Sequence, residues 1–164
     1  MLPSSTSSSI VQFDAVIPEC VDNKLQFNVM PERAVTETLH IKEYRLSQNY
    51  IEAHFDRTYE SAMLKSPSHL IFLSAVAHYQ KMLYVYGCHH LDLGYDPFGP
   101  EKLKIWPTVV KVEMPRMLRN ETGLVHRVYI DSFESVGPKR YHITTHSDVN
   151  NCVFISGESP LFVL

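Results

Sequence analysis

Hydrophobic and polar positions follow two different periods along this chain of 164 residues. In the segments "LHIKEYRLS" (39–47) and "YIEAHFDRTY" (50–59), they alternate roughly one by one, as in a β-strand that buries one face. The dipeptide "QN" separates the two segments and is short enough for a tight turn. The pattern therefore predicts an antiparallel hairpin over residues 39–59.

A different pattern begins at Ser66, where apolar residues occupy nearly every side of a helical projection as far as Gly87. Ser66 suits the N-cap, and Pro67 suits the first helical position, because a missing N–H has no consequence there. Gly87 is typical of a helix end. The pattern predicts one helix of about 20 residues, and a helix that is apolar on nearly all sides must be buried on nearly all sides.

Four strand-like segments follow the helix, after a loop over residues 89–102 that is rich in glycine and proline. Pro107 and Pro115 indicate that the first of these strands begins and ends irregularly or lies at a sheet edge. Upstream of the hairpin, residues 10–20 and 24–31 are short apolar pieces that suit a strand or a helical turn. The four segments after the loop span residues 103–118, 123–134, 139–149 and 151–164.

A curved antiparallel sheet wrapped around a single helix would bury that helix on nearly all sides, and this α+β arrangement is the hot-dog fold. The length suits one such domain, which we expect over residues 10–164. The serine-rich start of the chain, residues 1–9, is predicted to be a disordered tail.

Composition narrows the classes of function. The net charge of −3 argues against nucleic-acid binding, which needs a concentrated basic face. No segment reaches the roughly 18 uncharged apolar residues of a membrane span, and the N-terminus lacks the features of a secretory signal. The three cysteines form no CxxC pair, which favours a reducing, cytoplasmic setting without a disulfide framework or zinc site. No cofactor is predicted.

The polar residues of the predicted helix fall on two faces. Ser74, His78 and Lys81 share one stripe, whereas His69 and Gln80 lie within about 20° of each other on a second face, beside Leu73 and Tyr84. A Ser74–His78 nucleophile pair is possible, but it needs a group that orients the imidazole and an oxyanion hole. The structural alternatives are a serine bonded to its own helix, an interior or interface histidine, a solvated lysine and an amide that bonds within the core.

The predicted helix start is a second candidate. Backbone N–H groups of Ser68, His69 and Leu70 would be unpaired donors at the positive end of the helix dipole, able to polarise a thioester carbonyl. An ordinary capped helix start has the same appearance. Tyr59 and Glu60 are close enough in sequence to reach it, although surface roles suit them equally.

Other histidines carry weaker signals. His142 and His146 would stand about 13 Å apart on a strand, which is too far for one metal ion. His126 shares a strand face with apolar residues and is predicted to be half-buried.

The region from the second hairpin strand into the helix contains "ESA" at residues 60–62, Ser66, His69, an amide at Gln80 and Tyr84, and the chain closes with "SGESPLFVL". In these features it resembles the mycobacterial long-chain fatty acyl-CoA thioesterase family, a branch of the hot-dog proteins. Two positions depart from the family, which has tyrosine in place of Met63 and asparagine in place of Gln80. The helix also resembles that of hot-dog hydroxyacyl carrier-protein dehydratases, with His54 at their histidine but Ser74 in place of their acid.

The resemblance implies a homodimeric enzyme that hydrolyses fatty acyl thioesters of CoA or acyl carrier protein in an apolar tunnel beside the helix. Two alternatives remain: addition of an amine to, or elimination from, an α,β-unsaturated thioester, and acyl binding without catalysis. The candidate catalytic residues are His69, Gln80, Ser74, His78 and His54. The candidate substrate-binding residues are Tyr59, Glu60, Met63, Ser66, Ser68, Leu70, Leu73 and Tyr84.

Overall fold

The structure is a computed structural model that describes residues 12–18, 24–30, 35–62, 65 and 67–164, without the side chains of residues 29 and 30. Residues 1–9, Met63 and Ser66, each named in a prediction above, lie outside the described residues, as do parts of the apolar pieces at residues 10–20 and 24–31. Within the described residues, four strands precede one long helix and five follow it. The strands are β1 (Ala15–Pro18), β2 (Lys24–Met30), β3 (Val35–Ser47), β4 (Tyr50–Glu60), β5 (Leu103–Ile105), β6 (Val109–Glu113), β7 (Leu124–Gly137), β8 (Arg140–Val149) and β9 (Val153–Val163), and the helix is α1 (Phe72–His90).

The strands of the described residues form one antiparallel sheet in the order β1-β3-β4-β7-β8-β9-β5. Strand β2 pairs with β3 beside β1, and β6 pairs with β9 beside β5. Ser47 pairs with Tyr50 across the turn, so the hairpin predicted over residues 39–59 is confirmed. The described parts of the two upstream pieces contain the strands β1 and β2, and the segment after the loop is divided into β5 and β6 around Pro107.

Alternate residues of the long strands are buried, and together with one side of α1 they form the main core. The helix lies on this buried face of the curled sheet, as the sequence predicted, and the hot-dog fold is confirmed. A smaller cluster of Cys88, Leu103 and Leu161 joins the end of the helix to β5 and β9. No helix in the described ranges combines the length and hydropathy that a membrane crossing requires.

The predicted helix bounds were wrong at both ends. The N-cap is Ile71, and the first helical bond runs from the Ala75 N–H to the Ile71 carbonyl (3.1 Å). Gly87 lies inside the last turns, where an added Cβ would come within 3.0 Å of Leu161 Cδ1. Glycine at this position therefore permits close packing of the helix against β9 and does not end the helix.

Candidate functional site

A buried carboxylate occupies the amino end of α1. Glu37, on β3, is fully buried, and its Oε1 accepts the Ile71 N–H at 3.1 Å. Its other oxygen accepts from the Arg57 guanidinium at 3.1 Å. Burial raises the pKa of Glu37, while Ser74, the Ile71 N–H and Arg57 oppose that shift by stabilising the charged form. A carboxylate of the same protein thus lies at the N-cap of the helix.

Arg57 forms hydrogen bonds with three different segments near the amino end of α1. Its buried side chain donates to the carbonyls of Asn120 (2.9 Å) and Arg119 (3.2 Å) and to the hydroxyl of Ser68 (3.2 Å). The guanidinium therefore links β4 to the loop before β7 and to the segment that leads into the helix. Nearly all of its donors are used within the fold.

These contacts overturn the predicted oxyanion donors at the helix start. Ser68, His69 and Leu70 precede the helix, and the Leu70 N–H donates to the Leu118 carbonyl at 2.8 Å. The side chain of Leu70 lies in the core. Since His69 is not helical, the predicted alignment of His69 with Gln80 on one helix face is also wrong. Tyr59 and Glu60 end β4, where they pair with β3.

Two candidate catalytic residues on the helix, Ser74 and His78, are fully buried and share no hydrogen bond. The Ser74 hydroxyl lies close enough to Glu37 to help keep that carboxylate charged, but it makes no hydrogen bond of good geometry within the described residues. The possible hydrogen bond from Ser74 to its own helix is absent. His78 instead contacts His126, which is fully buried rather than half-buried.

The hydrogen bonds fix the tautomers of this histidine pair. Ser147 donates to the Ile155 carbonyl (3.1 Å), so its oxygen accepts from Nε2 of His126 (3.3 Å). Nδ1 of the neutral His126 then accepts from Nδ1 of His78 (3.3 Å). Burial lowers the pKa of His78 to about 3 and holds the pKa of His126 well below its ordinary value. The pair is therefore a neutral, fully buried element of the core.

A groove of about 460 Å³ lies beside the outer face of the helix. Gln80, Lys81 and Tyr84 contribute side chains from α1, and the loop before β5 forms the opposite wall. Leu73 and Ala77 continue the same helical stripe towards the amino end, and Leu73 is 49% exposed. The groove is lined by Ala77, Gln80, Lys81, Tyr84, Tyr95, Asp96, Pro97, Gly99, Glu101 and Ile105.

The polar groups of the groove differ in how far the fold uses them. The Lys81 ammonium lies 4.9 Å from the ring centroid of Tyr95 and 5.7 Å from that of Tyr84. The Tyr84 hydroxyl accepts the Lys102 N–H at 3.1 Å, and burial raises the pKa of Tyr84. Asp96 accepts the Phe98 N–H within its own turn. The exposed Glu101 carboxylate makes neither a hydrogen bond nor an ion pair with the described residues.

The structure brings together only part of the predicted site. Gln80 and Tyr84 line the groove, but His69 and His54 do not. His54 projects from β4 beside Glu52, whose Oε1 lies 2.7 Å from its Nε2. Three further residues line the groove with Gln80 and Tyr84, and they were not predicted from the sequence. They are Tyr95, Asp96 and Glu101, which belong to a segment read as plain loop.

Metal-binding chemistry has no candidate in the described part of the chain, where no three His, Cys, Asp or Glu side chains are arranged to hold an ion. His142 and His146 each face a carboxylate instead: Glu158 at 3.7 Å and Asp131 at 2.8 Å.

Comparison with known proteins gives only structural likenesses. No family model matches the chain, and neither does any curated protein sequence. A thioesterase from Haemophilus influenzae is 12% identical with a TM-score of 0.48, covering 77% of this chain and 79% of its own. A variant thioesterase from Pseudomonas aeruginosa is 10% identical with a TM-score of 0.46, covering 77% of this chain and 82% of its own. AziG from S. sahachiroi is 8% identical with a TM-score of 0.47, covering 77% of this chain and 92% of its own. At these values the likenesses assign neither an activity nor a site to this chain.

Proposed function

We propose that the protein hydrolyses acyl thioesters of CoA or acyl carrier protein in the groove beside α1. One observation carries the proposal: an amide, an ammonium and an unpaired carboxylate line one groove on the open side of the central helix. Exposed apolar side chains at the helix start, Phe72 and Leu73, lie further along the helix and suit an acyl chain. The family resemblance at Gln80 and Tyr84 supports the same substrate class.

The groups have complementary roles in this reaction. The amide N–H of Gln80 and the ammonium of Lys81 would donate to the thioester oxygen and stabilise the negative charge that develops on it. The Glu101 carboxylate would take a proton from water as the water oxygen attacks the carbonyl carbon. Collapse of the tetrahedral intermediate breaks the carbon–sulfur bond, and the proton passes from Glu101 to the departing thiolate. The products are a free acid and a thiol.

Release of free thiol from a panel of acyl-CoA and acyl carrier-protein substrates tests the proposal. We expect Glu101→Gln to lower kcat by about 100-fold or more, because general bases contribute on that order. Glu134→Gln is the matched control, since Glu134 is an exposed β7 carboxylate outside the groove. Gln80→Ala should lower kcat by about 100-fold as well.

Equal activity of Glu101→Gln and Glu134→Gln would refute the role of the groove. Tight acyl binding without turnover would show a non-catalytic acyl-binding protein instead. Formation of an amine adduct from an enoyl thioester and glycine, detected by mass spectrometry, would show addition chemistry.

We also propose that the protein is a homodimer joined at β6. One edge of β6 pairs with β9, and its other edge pairs with no strand of the described residues. Val109 and Val110 are 54% and 37% exposed along this short edge strand. Light scattering during size-exclusion chromatography measures the mass, and Val110→Lys should give monomers, because a charge blocks edge-to-edge pairing. A monomeric unsubstituted protein would refute the dimer.

A further inference from the structure

A stack of aromatic and cationic side chains lies on the outer face of the sheet, at the β5 edge. Trp106 packs flat on Phe162, with 5.2 Å between ring centroids and 13° between ring planes. The guanidinium carbon of Arg140 lies 5.6 Å from the centroid of the Phe162 ring. Trp106 is the single tryptophan of the chain, and 47% of it is exposed.

Strand register places a second cation beside this stack. Lys104 and Arg140 are the direct partners of Phe162 on its two sides, and directly paired residues share a sheet face. Neither cation forms an ion pair with a carboxylate of the described residues. Two uncompensated positive charges thus border an exposed indole, on a protein whose net charge is −3.

The stack and the groove are neighbours across a single edge strand. Ile105, the last residue of β5, lines the groove beside the helix. Trp106, the next residue, stacks on the opposite face of the sheet. A molecule that lies in the groove and passes over this edge would therefore reach the indole.

We propose that Trp106, Arg140 and Lys104 bind the adenosine phosphate end of a CoA thioester whose acyl end occupies the groove. This assignment rests on the proposed function and selects CoA over a carrier protein. An indole face stacks well on a purine, and a guanidinium binds phosphate oxygens through two parallel hydrogen bonds. The patch consists of only four side chains, whereas each partner in a protein–protein interface typically buries roughly 800 Å². Its size therefore suits a small molecule better than a carrier protein.

Tryptophan fluorescence reports on the site directly, because Trp106 is the sole source of the indole signal. We expect CoA and adenosine 3′,5′-bisphosphate to quench it saturably, and Arg140→Gln and Lys104→Gln each to weaken binding about 10-fold. Lys42→Gln is the matched control, since Lys42 is an exposed lysine on β3 that is paired with Asp56. Absence of quenching at millimolar ligand, or equal weakening by Lys42→Gln, would overturn the proposal.

Steady-state kinetics separate this site from the groove. Trp106→Ala and Arg140→Gln should raise KM for acyl-CoA about 10-fold and leave kcat/KM unchanged for a nucleotide-free thioester, S-acyl-N-acetylcysteamine. If nucleotides bind but Trp106→Ala and Arg140→Gln leave the acyl-CoA kinetics unchanged, the link to the thioester is overturned. It is also overturned if acyl carrier protein quenches the Trp106 fluorescence and CoA does not. If neither thioester is hydrolysed while acyl-CoA still binds more tightly than its nucleotide-free analogue, hydrolysis is refuted and the nucleotide site stands.

Discussion

Two polar regions along the same helix have opposite characters. At the amino end, Glu37 and Arg57 are fully buried and paired with each other, Glu37 accepts the Ile71 N–H, and Arg57 donates to the Asn120 carbonyl. In the groove, Gln80, Lys81 and Glu101 are at least partly open to solvent, and Glu101 has no partner among the described residues. A polar group that the fold has fully bonded has nothing left to offer a substrate. The comparison therefore favours a structural role for the amino end and supports the proposal that substrate binds in the groove.

The same contrast explains why an attractive site at the helix start fails. Helix dipoles favour an anion at their amino end, and a transition-state oxyanion or a resident carboxylate can take that position. Here the Glu37 carboxylate occupies this position, and it also accepts a hydrogen bond from Arg57. Stabilisation of this end and catalysis there are mutually exclusive uses of the same N–H groups.

Removal of one partner of the buried ion pair should give the largest effect. Arg57→Met leaves the Glu37 carboxylate buried without its cation, and we expect a loss of about 3–5 kcal/mol in the free energy of unfolding. Urea denaturation measures it. The double variant Glu37→Gln/Arg57→Met should recover part of the loss, because no unpaired charge remains. A loss below about 1 kcal/mol in the single variant would show that water reaches this end of the helix.

Two leucines on either side of the helix start give the next largest contrast. Leu70 is completely buried, so Leu70→Ala should lower the free energy of unfolding by about 2–5 kcal/mol. Leu73 is 49% exposed, and Leu73→Ala should lower it by less than about 1 kcal/mol. Leu73→Ala should instead weaken the binding of long acyl chains. Similar losses of stability in the two variants would show that this helix face is covered in solution.

The buried histidine pair predicts a dependence of stability on pH. Since burial lowers the pKa of His78 from 6.5 to about 3, the unfolded chain binds protons first as the pH falls. The contribution of the pair to stability is therefore complete only well above pH 6.5 and declines as the pH falls through 6.5, by up to about 1.4 kcal/mol per pH unit for each histidine. Urea denaturation between pH 7 and pH 5 measures the slope. His78→Asn keeps a donor towards His126 and should roughly halve the slope, whereas a flat profile for the unsubstituted protein would contradict the neutral buried pair.

Local sequence signals predicted most of the fold. The hairpin follows from alternation and a two-residue turn, both of which are properties of neighbouring residues. Pro107 likewise marks the break between β5 and β6. The helix bounds were wrong because they depend on distant residues: the N–H groups of Leu70 and Ile71 bond to Leu118 and Glu37.

The candidate site shows the same division. Helical spacing was sufficient to place Gln80 and Tyr84 on one face, and both line the groove. The loop residues Tyr95 and Glu101 could not be placed there, since no periodic pattern fixes the path of a loop. Their positions depend on tertiary contacts, such as the Lys102 ammonium that donates to the carbonyls of Leu93 (2.7 Å) and Gly94 (2.8 Å).

Substitutions in the groove should have the smallest effects on stability. Gln80→Ala and Glu101→Gln remove groups on which no described residue depends for a hydrogen bond, so the free energy of unfolding should change by less than about 0.5 kcal/mol. Thermal unfolding of each variant beside Glu134→Gln measures the change. Large losses of activity with an unchanged free energy of unfolding would support a functional role for the groove. At the amino end, by contrast, we expect substitutions of Arg57 and Leu70 to lower the free energy of unfolding. A loss of 2 kcal/mol or more in Gln80→Ala would mean that the amide is a structural element like Arg57, and the comparison between the two regions would fail.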